Sequence, residues 1–284
     1  MTIHELVNGA RERLRAAGVS DAEADLDARL LAEHLLGWDA ARYFTDGSQP
    51  PPPGFEPQYS ALLTRRAARE PLAYIVGRKE FWDLTFAVSP SVLIPRPETE
   101  LIVETALEVF PDRDAVLSIA DVCTGSGCLA VALAHERPRS RVVATDLSDA
   151  AVEVARANAA HHDVAGRVEV RRADLLDGID ETFDLIVANP PYVADQFRPI
   201  LQPEVREHEP AMALFGGADG LALIRRLVPQ AADHLRPGGV LLFEFAFGQD
   251  IEIEELITAT PGLSFVRLRP DLQGIPRTAI ARRS

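Results

Sequence analysis

The 284-residue sequence has few cysteines, few basic residues and no long apolar run, and each shortage narrows what the protein can be. Its two cysteines, Cys123 and Cys128, have no histidine or cysteine neighbours at the spacing of metal ligands. We therefore expect neither a disulfide framework nor a bound metal ion. No apolar stretch reaches the roughly 20 residues that a membrane-spanning helix requires.

Acidic residues outnumber basic ones, with 43 Asp and Glu against 29 Lys and Arg and a formal net charge of −14. A negative surface repels the phosphate backbone, so we expect no direct DNA partner and no membrane partner. The N-terminal stretch "MTIHELVNGARERL" carries charges where a signal peptide is apolar. Because 47% of the residues are hydrophobic, the chain can bury a full core. We expect a monomeric, cytoplasmic protein.

Residues 1–75 show apolar positions at spacings of three and four, which predict helices. Ser20 and Glu23 predict a capping box at the start of the second helix, and Gly37 predicts its end. The stretch "QPPPPGFEP" predicts an extended connector before another helix. These patterns indicate a small all-helical N-terminal domain, which we take as the substrate-recognition domain.

After this domain, the spacing of the hydrophobic residues changes from a helical to a strand-like pattern. Phe81, Leu84 and Phe86 alternate around a Trp-Asp pair, which predicts a β-hairpin linker over residues 76–95. From residue 96 to 284, short strand-like runs alternate with helical runs of ten or more residues. This alternation predicts an α/β catalytic domain with a doubly wound, Rossmann-like sheet of parallel strands joined by right-handed crossovers.

A glycine-containing loop follows the first strand of this region, in "IADVCTGSGCLAVALA". Gly125 and Gly127 allow the backbone to approach a ligand closely at the carboxyl edge of a sheet. The dinucleotide template G-x-G-x-x-G/A also fits, with Ala130 as its third position. The loop alone therefore leaves NAD binding, or a purely structural turn, open. However, Asp121 precedes the loop, where enzymes that use S-adenosylmethionine place an acid near the methionine ammonium.

Acidic residues also follow the next two strands. Asp146 ends "RVVATD", 19 residues after Gly127, where its carboxylate is placed to accept hydrogen bonds from both ribose hydroxyls. Asp174 in "ADLLD" is placed to accept from an adenine amine. Three consecutive strand ends that carry Gly, Asp and Asp predict an adenosine pocket.

The fourth strand ends in Asn189-Pro190-Pro191-Tyr192. A planar amide or exocyclic amine is a poor nucleophile because its lone pair is delocalised, and its two N–H groups need acceptors. We predict that the Asn189 side-chain carbonyl and the Pro190 main-chain carbonyl accept them, with rigid prolines fixing both directions. Tyr192 is predicted to form a flat wall beside the planar group. If the segment served only to end the strand, the two prolines would be explained, but the presence of both Asn189 and Tyr192 beside them would not.

These residues, together with "REPLAYIVGRKEFWDLTFAVSPSVLIPRPETE", "EVREHEPAMALFGGADGL" and "DLQGIPR", closely resemble the protein-(glutamine-N5) methyltransferases of peptide-chain release factors. The similarity runs almost from end to end. The resemblance implies that S-adenosylmethionine donates a methyl group to the glutamine of the Gly-Gly-Gln loop in class I release factors. It also implies that the N-terminal domain grips the rest of the factor.

The resemblance assigns site residues to two groups. The candidate cofactor-binding residues are Asp121, Cys123, Thr124, Gly125, Ser126, Gly127, Asp146, Leu147, Asp174, Leu175 and Asn189. The candidate residues for the substrate glutamine are Asn189, Pro190, Pro191 and Tyr192, with Asn189, Pro190 and Tyr192 as the catalytic set.

The sequence departs from the family at two positions. Cys123 stands where relatives more commonly have Gly, and Phe245 stands where many have His or another small or polar residue. Apart from these two departures, Leu175 falls where the resemblance implies an aromatic residue beside adenine in many relatives. Neither departure touches the Asn-Pro-Pro-Tyr segment, so we expect activity to survive, with substrate choice or rate open to change.

Other interpretations remain open on the sequence alone. They are glutamine methylation of a ribosomal protein, adenine methylation of DNA, which the acid excess opposes, and a binding module without catalysis. The charged cluster of Arg96, Glu98 and Glu100 is interpreted either as a salt bridge that stabilises a hinge or as part of the active-site entrance.

Overall fold

The computed structural model describes residues 1–284, which form two compact units. The helical unit comprises Met1–Arg78 and Gln202–His208, and the sheet unit comprises Lys79–Leu201 and Glu209–Ser284. None of the helices combines the length and the apolar character that crossing a membrane requires.

The chain contains twelve α-helices. They are α1 (Ile3–Ala16), α2 (Asp21–Leu36), α3 (Ala40–Asp46), α4 (Phe55–Ala67), α5 (Leu72–Val76), α6 (Glu100–Val109), α7 (Cys128–Glu136), α8 (Asp149–His161), α9 (Pro203–His208), α10 (Ala211–Leu214), α11 (Ile224–His234) and α12 (Asp250–Ala259). Two 3-10 helices, Pro97–Thr99 and Asp195–Ile200, complete the set.

The nine strands are β1 (Arg78–Phe81), β2 (Leu84–Ala87), β3 (Ser118–Val122), β4 (Arg141–Asp146), β5 (Val168–Arg172), β6 (Phe183–Ala188), β7 (Leu235–Glu244), β8 (Leu263–Pro270) and β9 (Pro276–Arg283). The fold class predicted from the sequence, an α/β sheet with a helical N-terminal domain and a hairpin, is confirmed.

Local capping signals define the ends of the first two helices. The complete capping box lies at α1, where Thr2 and Glu5 bond reciprocally. At α2 the Ser20 side chain accepts from the Glu23 main-chain N–H as expected, but the Glu23 carboxylate accepts from the Ser20 hydroxyl, so the predicted box is only half formed. Gly37 ends α2 in the left-handed conformation, as predicted.

The β-hairpin forms around the Trp-Asp turn that the sequence predicts. Trp82 and Asp83 both have positive φ, at 52° and 55°, the pattern of the type I′ turn that suits two-residue hairpins. The Trp82 main-chain N–H donates to Glu100 Oε1 over 2.9 Å.

The sheet unit contains a seven-stranded sheet in the order β5-β4-β3-β6-β7-β9-β8. The strands β3 to β7 are parallel, as predicted, whereas β9 runs antiparallel to both β7 and β8. Side chains alternate between two cores, so that Leu185 and Val187 of β6 pack with α6 to α8 while Ile186 and Ala188 pack with α11 and α12. Both faces are covered, which is why the parallel strands are apolar throughout.

The helical unit contains a buried ionic cluster. Arg66, which is 3% exposed, donates to Asp27 Oδ2 over 2.6 Å and to Glu204 Oε1 over 2.8 Å. Arg69 Nη2 donates to the other Glu204 oxygen over 2.6 Å. Glu204 belongs to α9, a segment that lies inside the range predicted for the catalytic domain but forms part of the helical unit. Arg66 and Arg69 bind the Glu204 carboxylate and so hold α9 within the helical unit.

We predict that Arg66→Ala destabilises the helical unit by about 3–5 kcal/mol, because it leaves the buried Asp27 carboxylate without its cation and removes one of the two arginines that pair with Glu204. The matched control is Arg65→Ala, which removes a more exposed pair with Glu70 and should cost less than about 1 kcal/mol. Trp38 and Trp82 are the only tryptophans, so Trp38 fluorescence in a Trp82→Phe background reports urea unfolding of the helical unit. Equal unfolding midpoints for the two variants would contradict the prediction.

Candidate active site

The candidate site lies at the carboxyl edge of the sheet. The strands β4 and β5 follow β3 on one side, while β6 and β7 lie on the other, so the strand order reverses between β3 and β6. Ligands of open α/β sheets bind at such a reversal, outside the carboxyl ends of the strands. Both the glycine-containing loop and the Asn-Pro-Pro-Tyr segment leave the sheet there.

A cavity of about 360 Å³ opens at this edge, within the size range of small-molecule sites. Of the residues predicted from the sequence, its wall contains Cys123, Thr124, Gly125, Ser126, Asp146, Leu147, Asp174, Leu175, Asn189 and Pro191. Asp121, Gly127, Pro190 and Tyr192 are not in the wall. The structure therefore brings most of the predicted site residues to one cavity.

The Asp146 carboxylate is held in a fixed direction at the end of β4. One oxygen accepts from the Gly125 main-chain N–H and the other from the Ser148 main-chain N–H, each over 2.9 Å. Burial raises the pKa of Asp146. Each carboxylate oxygen has about two acceptor positions, so both keep capacity for a ligand hydroxyl.

Asp121 lies beneath the glycine-containing loop. Its Oδ2 atom accepts from the Thr124 hydroxyl over 2.6 Å and from the Ala130 main-chain N–H over 3.0 Å. Its Oδ1 atom is buried without a hydrogen-bond partner. Burial raises the pKa of Asp121 to about 7. A spare carboxylate oxygen under the loop fits a ligand that carries a cationic group.

The backbone at Cys123 adopts a conformation that favours glycine. Its φ is +61°, in the left-handed region that costs a non-glycine residue about 1–2 kcal/mol. Leu175 has a similar φ of +57°. Burial raises the pKa of the Cys123 thiol, so the side chain stays a neutral part of the wall.

Arg226 is a cavity residue that the sequence reasoning did not single out. Its Nη2 atom donates to Asp174 Oδ2 over 2.9 Å. Arg225 instead pairs with Asp219 outside the wall. The predicted contact of Asp174 with an adenine amine stays a prediction, and one of its oxygens already has a cationic partner.

The polar side chains of the Asn-Pro-Pro-Tyr segment meet a buried carboxylate. Asn189 Nδ2 donates to Thr99 Oγ1 over 2.9 Å, and the Thr99 hydroxyl donates to Glu244 Oε2 over 2.7 Å. The Tyr192 hydroxyl donates to Glu244 Oε1 over 2.5 Å. Burial raises the pKa of Glu244 and that of Tyr192. Thr99 and Glu244 were missed as site residues, although Thr99 lies in a segment that carried the family resemblance.

A glycine-rich loop supports the backbone of the same segment. A Cβ atom on Gly220 would lie 2.1 Å from the Tyr192 carbonyl oxygen, and one on Gly216 would lie 2.6 Å from the Pro191 carbonyl oxygen. Gln249 Nε2 also donates to the Tyr192 carbonyl oxygen, over 3.2 Å. Only glycine allows this close approach, a signal that the sequence carried in "GGADG".

The charged cluster before α6 stabilises the local backbone. Arg96 pairs with Glu209, whose other carboxylate oxygen accepts from the Ile94 main-chain N–H over 3.1 Å. The Glu100 carboxylate accepts a hydrogen bond from the Trp82 main-chain N–H in the hairpin turn. These contacts favour the stabilising interpretation over a role at the entrance. Phe245, the second departure from the family, is fully buried in the core.

We predict that Gly220→Ala destabilises the sheet unit more than Gly238→Ala does. Both glycines have a φ of +81°, but a Cβ on Gly238 meets no atom within 4 Å. The strained backbone should cost about 1–2 kcal/mol at either position, and overpacking against the Tyr192 carbonyl should add about 1–3 kcal/mol at Gly220. Urea unfolding followed by Trp82 in a Trp38→Phe background measures the difference. Equal losses of unfolding free energy in the two variants would contradict the prediction, because they would show that the loop moves away from the added Cβ atom at no energetic expense.

Comparison with known proteins identifies both parts of the chain. Residues 5–77 match the family model of the PrmC N-terminal domain, and residues 99–202 match that of the methyltransferase small domain. Among solved structures, a methyltransferase from Pyrococcus furiosus is 19% identical with a TM-score of 0.54, covering 77% of this chain and 98% of that one. The catalytic domain of hMettl16 gives a TM-score of 0.58 at 16% identity, covering 78% and 81%. These two likenesses show the fold alone.

Curated relatives match over the full length. The release factor glutamine methyltransferase of Koribacter versatilis is 40% identical, with 100% of this chain and 99% of the relative covered. Those of Cereibacter sphaeroides and Mycolicibacterium smegmatis are 42% and 44% identical, covering 99% and 98% of this chain and 99% and 96% of the relatives. The chain therefore belongs to the release factor glutamine methyltransferase family.

Proposed function

We propose that this protein transfers a methyl group from S-adenosylmethionine to the side-chain nitrogen of the glutamine in the Gly-Gly-Gln loop of class I peptide-chain release factors. The observation that carries the proposal is the orientation of Asn189 in the cavity wall. Its amide N–H₂ donates to Thr99, so the carbonyl oxygen is the end that remains to accept from a substrate amide. A methyl acceptor with an N–H₂ group fits this arrangement.

The proposed cofactor half of the site is formed by residues at the ends of β3, β4 and β5 and in the loops that follow them. S-adenosylmethionine, when bound, supplies an electrophilic methyl group on a sulfonium. Asp146 is directed by two backbone N–H groups and is available to accept from ribose hydroxyls. Asp121 supplies a buried carboxylate with one free oxygen under the loop, which favours a positively charged ligand. Asp174 and Leu175 complete the proposed adenine side.

The acceptor half works mainly by alignment: the amide nitrogen bonds to the methyl carbon as the C–S bond breaks, the sulfur keeps the electron pair and leaves as a thioether, and the nitrogen loses one proton to solvent. We propose that the carbonyl oxygens of Asn189 and Pro190 accept hydrogen bonds from the two N–H groups of the glutamine amide. The amide nitrogen then faces the methyl group. Holding a reactant in a near-attack geometry supplies much of the rate enhancement in displacement reactions. The rigid prolines restrict the backbone that carries both acceptors, and the glycine loop packs against the next two carbonyl oxygens, those of Pro191 and Tyr192.

Full-length similarity to release factor glutamine methyltransferases supports a release factor as the protein partner. We propose that the helical unit grips the body of the factor while the loop glutamine enters the cavity of the sheet unit. Because release factors act in translation, we place the protein in the cytoplasm, as a monomer. The net charge of −14 argues against nucleic acid as the substrate.

The decisive experiment incubates the purified protein with labelled S-adenosylmethionine and a class I release factor. The control is the same factor with its loop glutamine changed to alanine. Mass spectrometry should locate one methyl group on the loop glutamine and none on the changed factor. Label on any other residue, or equal label on both factors, would overturn the proposed function.

We predict that Asp146→Ala weakens S-adenosylmethionine binding by about 1.5–3 kcal/mol, or about 10- to 150-fold, because it removes hydrogen bonds to a charged group. Asp149→Ala is a matched control three residues along, since that side chain is exposed and pairs only with Arg172. Isothermal titration calorimetry compares the two dissociation constants. Unchanged affinity in Asp146→Ala would remove this residue from the cofactor site.

We predict that Asn189→Ala lowers kcat by about 100-fold or more while cofactor affinity changes little, because a preoriented acceptor of this kind acts mainly in the transition state. Steady-state methylation assays and calorimetry measure the two quantities separately. A parental turnover number in the variant would show that Asn189 is not the acceptor for the glutamine amide.

A further inference from the structure

We propose that Thr99 and Glu244 are positioning residues that determine which end of the Asn189 amide faces the cavity. The inference rests on the proposed function, since it explains how the acceptor oxygen of Asn189 is kept available. Neither residue needs to react with or bind the glutamine for this role. They act through Asn189, and Thr99 does so by direct contact.

Three residues far apart in the sequence form the chain of contacts. Glu244 ends β7 and is 1% exposed, while Thr99 ends the short 3-10 helix before α6 and is also 1% exposed. The Thr99 hydroxyl lies 2.7 Å from Glu244 Oε2 and 2.9 Å from Asn189 Nδ2. Thr99 thus lies directly between the carboxylate and the amide, in a place that water barely reaches.

The direction of each hydrogen bond follows from the carboxylate. An ionised carboxylate only accepts hydrogen bonds, so the single hydroxyl hydrogen of Thr99 is committed to Glu244. The Thr99 oxygen then has only lone pairs to offer to Asn189. An amide that faces lone pairs must present its N–H₂ group, because a carbonyl oxygen there would repel them. The Asn189 carbonyl oxygen is therefore left for the cavity.

Loss of the Thr99 hydroxyl would remove this discrimination. Asn has two nearly isosteric ends, and a methyl group in place of the hydroxyl favours neither. An Asn189 amide turned by 180° would present N–H₂ to the substrate N–H₂, and two donors facing each other cannot bond. Glu244 would also keep a buried oxygen without its donor. The acceptor would thus be present in the cavity but wrongly directed.

The same carboxylate also reaches the other end of the Asn-Pro-Pro-Tyr segment. Its Oε1 atom accepts from the Tyr192 hydroxyl over 2.5 Å. One buried group therefore holds Asn189 through Thr99 and Tyr192 directly. A carboxylate offers a separate oxygen to each hydroxyl, so both hydroxyls donate to Glu244 at the same time.

The test compares Thr99→Val, which replaces the hydroxyl with a methyl group, with Thr99→Ser, which keeps the hydroxyl. Thr99→Ala is a second variant without a hydroxyl, and it places no methyl group against the Glu244 carboxylate in case the valine disturbs folding. The matched control is Thr105→Val, since Thr105 is equally buried but its hydroxyl donates to the Leu101 carbonyl oxygen within α6 and accepts from Arg269, away from Asn189. All four are assayed for kcat, KM and cofactor affinity with a release factor substrate.

We expect Thr99→Val and Thr99→Ala to lower kcat by about 10- to 100-fold, the scale of one misdirected or lost acceptor contact. Thr99→Ser should recover most of the rate, and Thr105→Val should match the parental protein. Cofactor affinity should change less than twofold in all four. A separate readout is the Asn189 side-chain N–H₂ resonance in ¹⁵N spectra, identified by its loss in Asn189→Ala. It should shift and exchange faster with water in the variants without a hydroxyl.

Three outcomes would overturn the inference. They are a parental kcat in both Thr99→Val and Thr99→Ala, a loss in Thr99→Ser as large as in Thr99→Val, and an unchanged Asn189 amide resonance in the variants without a hydroxyl. If the parental protein itself fails to methylate the loop glutamine, the proposed function fails instead. The amide resonances still decide the positioning role in that case.

Discussion

The Asn-Pro-Pro-Tyr segment depends on one buried carboxylate. Glu244 accepts from the Thr99 and Tyr192 hydroxyls, and Thr99 in turn accepts from the Asn189 amide. Burying a carboxylate is costly unless its lone pairs are satisfied, so the two hydroxyls and the ion stabilise one another. The prolines fix the backbone, but the direction of the side chains comes from this network. A rigid backbone without it would leave the acceptor group free to turn.

The two halves of the site solve the same physical problem by different means. On the cofactor side, backbone N–H groups of Gly125 and Ser148 direct the Asp146 carboxylate. On the acceptor side, a carboxylate directs an amide through a hydroxyl. In both, the group that faces the cavity is held by hydrogen bonds from the protein itself, so the site is ordered before a ligand arrives. The family to which the chain belongs transfers a methyl group to an amide, a displacement that depends mainly on such alignment.

Sequence reasoning succeeded where the information is local. Strand ends, the loop glycines, Asp146 and Asn189 could be predicted because the carboxyl ends of parallel strands converge at one edge. It failed where contacts join distant residues: Thr99 lies 90 positions from Asn189 and 145 from Glu244, and no periodicity links them. The antiparallel pair of β8 and β9 was missed because the preceding alternation of strands and helices suggested only parallel strands.

The return of Gln202–His208 to the helical unit means that the chain crosses between the two units three times, at residues 78–79, 201–202 and 208–209. The helical unit is therefore not an appendage that a single cut could remove. Deleting residues 1–78 would leave Glu204 without its partners Arg66 and Arg69. The segment that carries Glu204, Gln202–His208, begins only 13 positions after Asn189. Exchange of the helical unit between methyltransferases of this architecture must transplant two stretches of sequence together, which limits how freely evolution or engineering can recombine them.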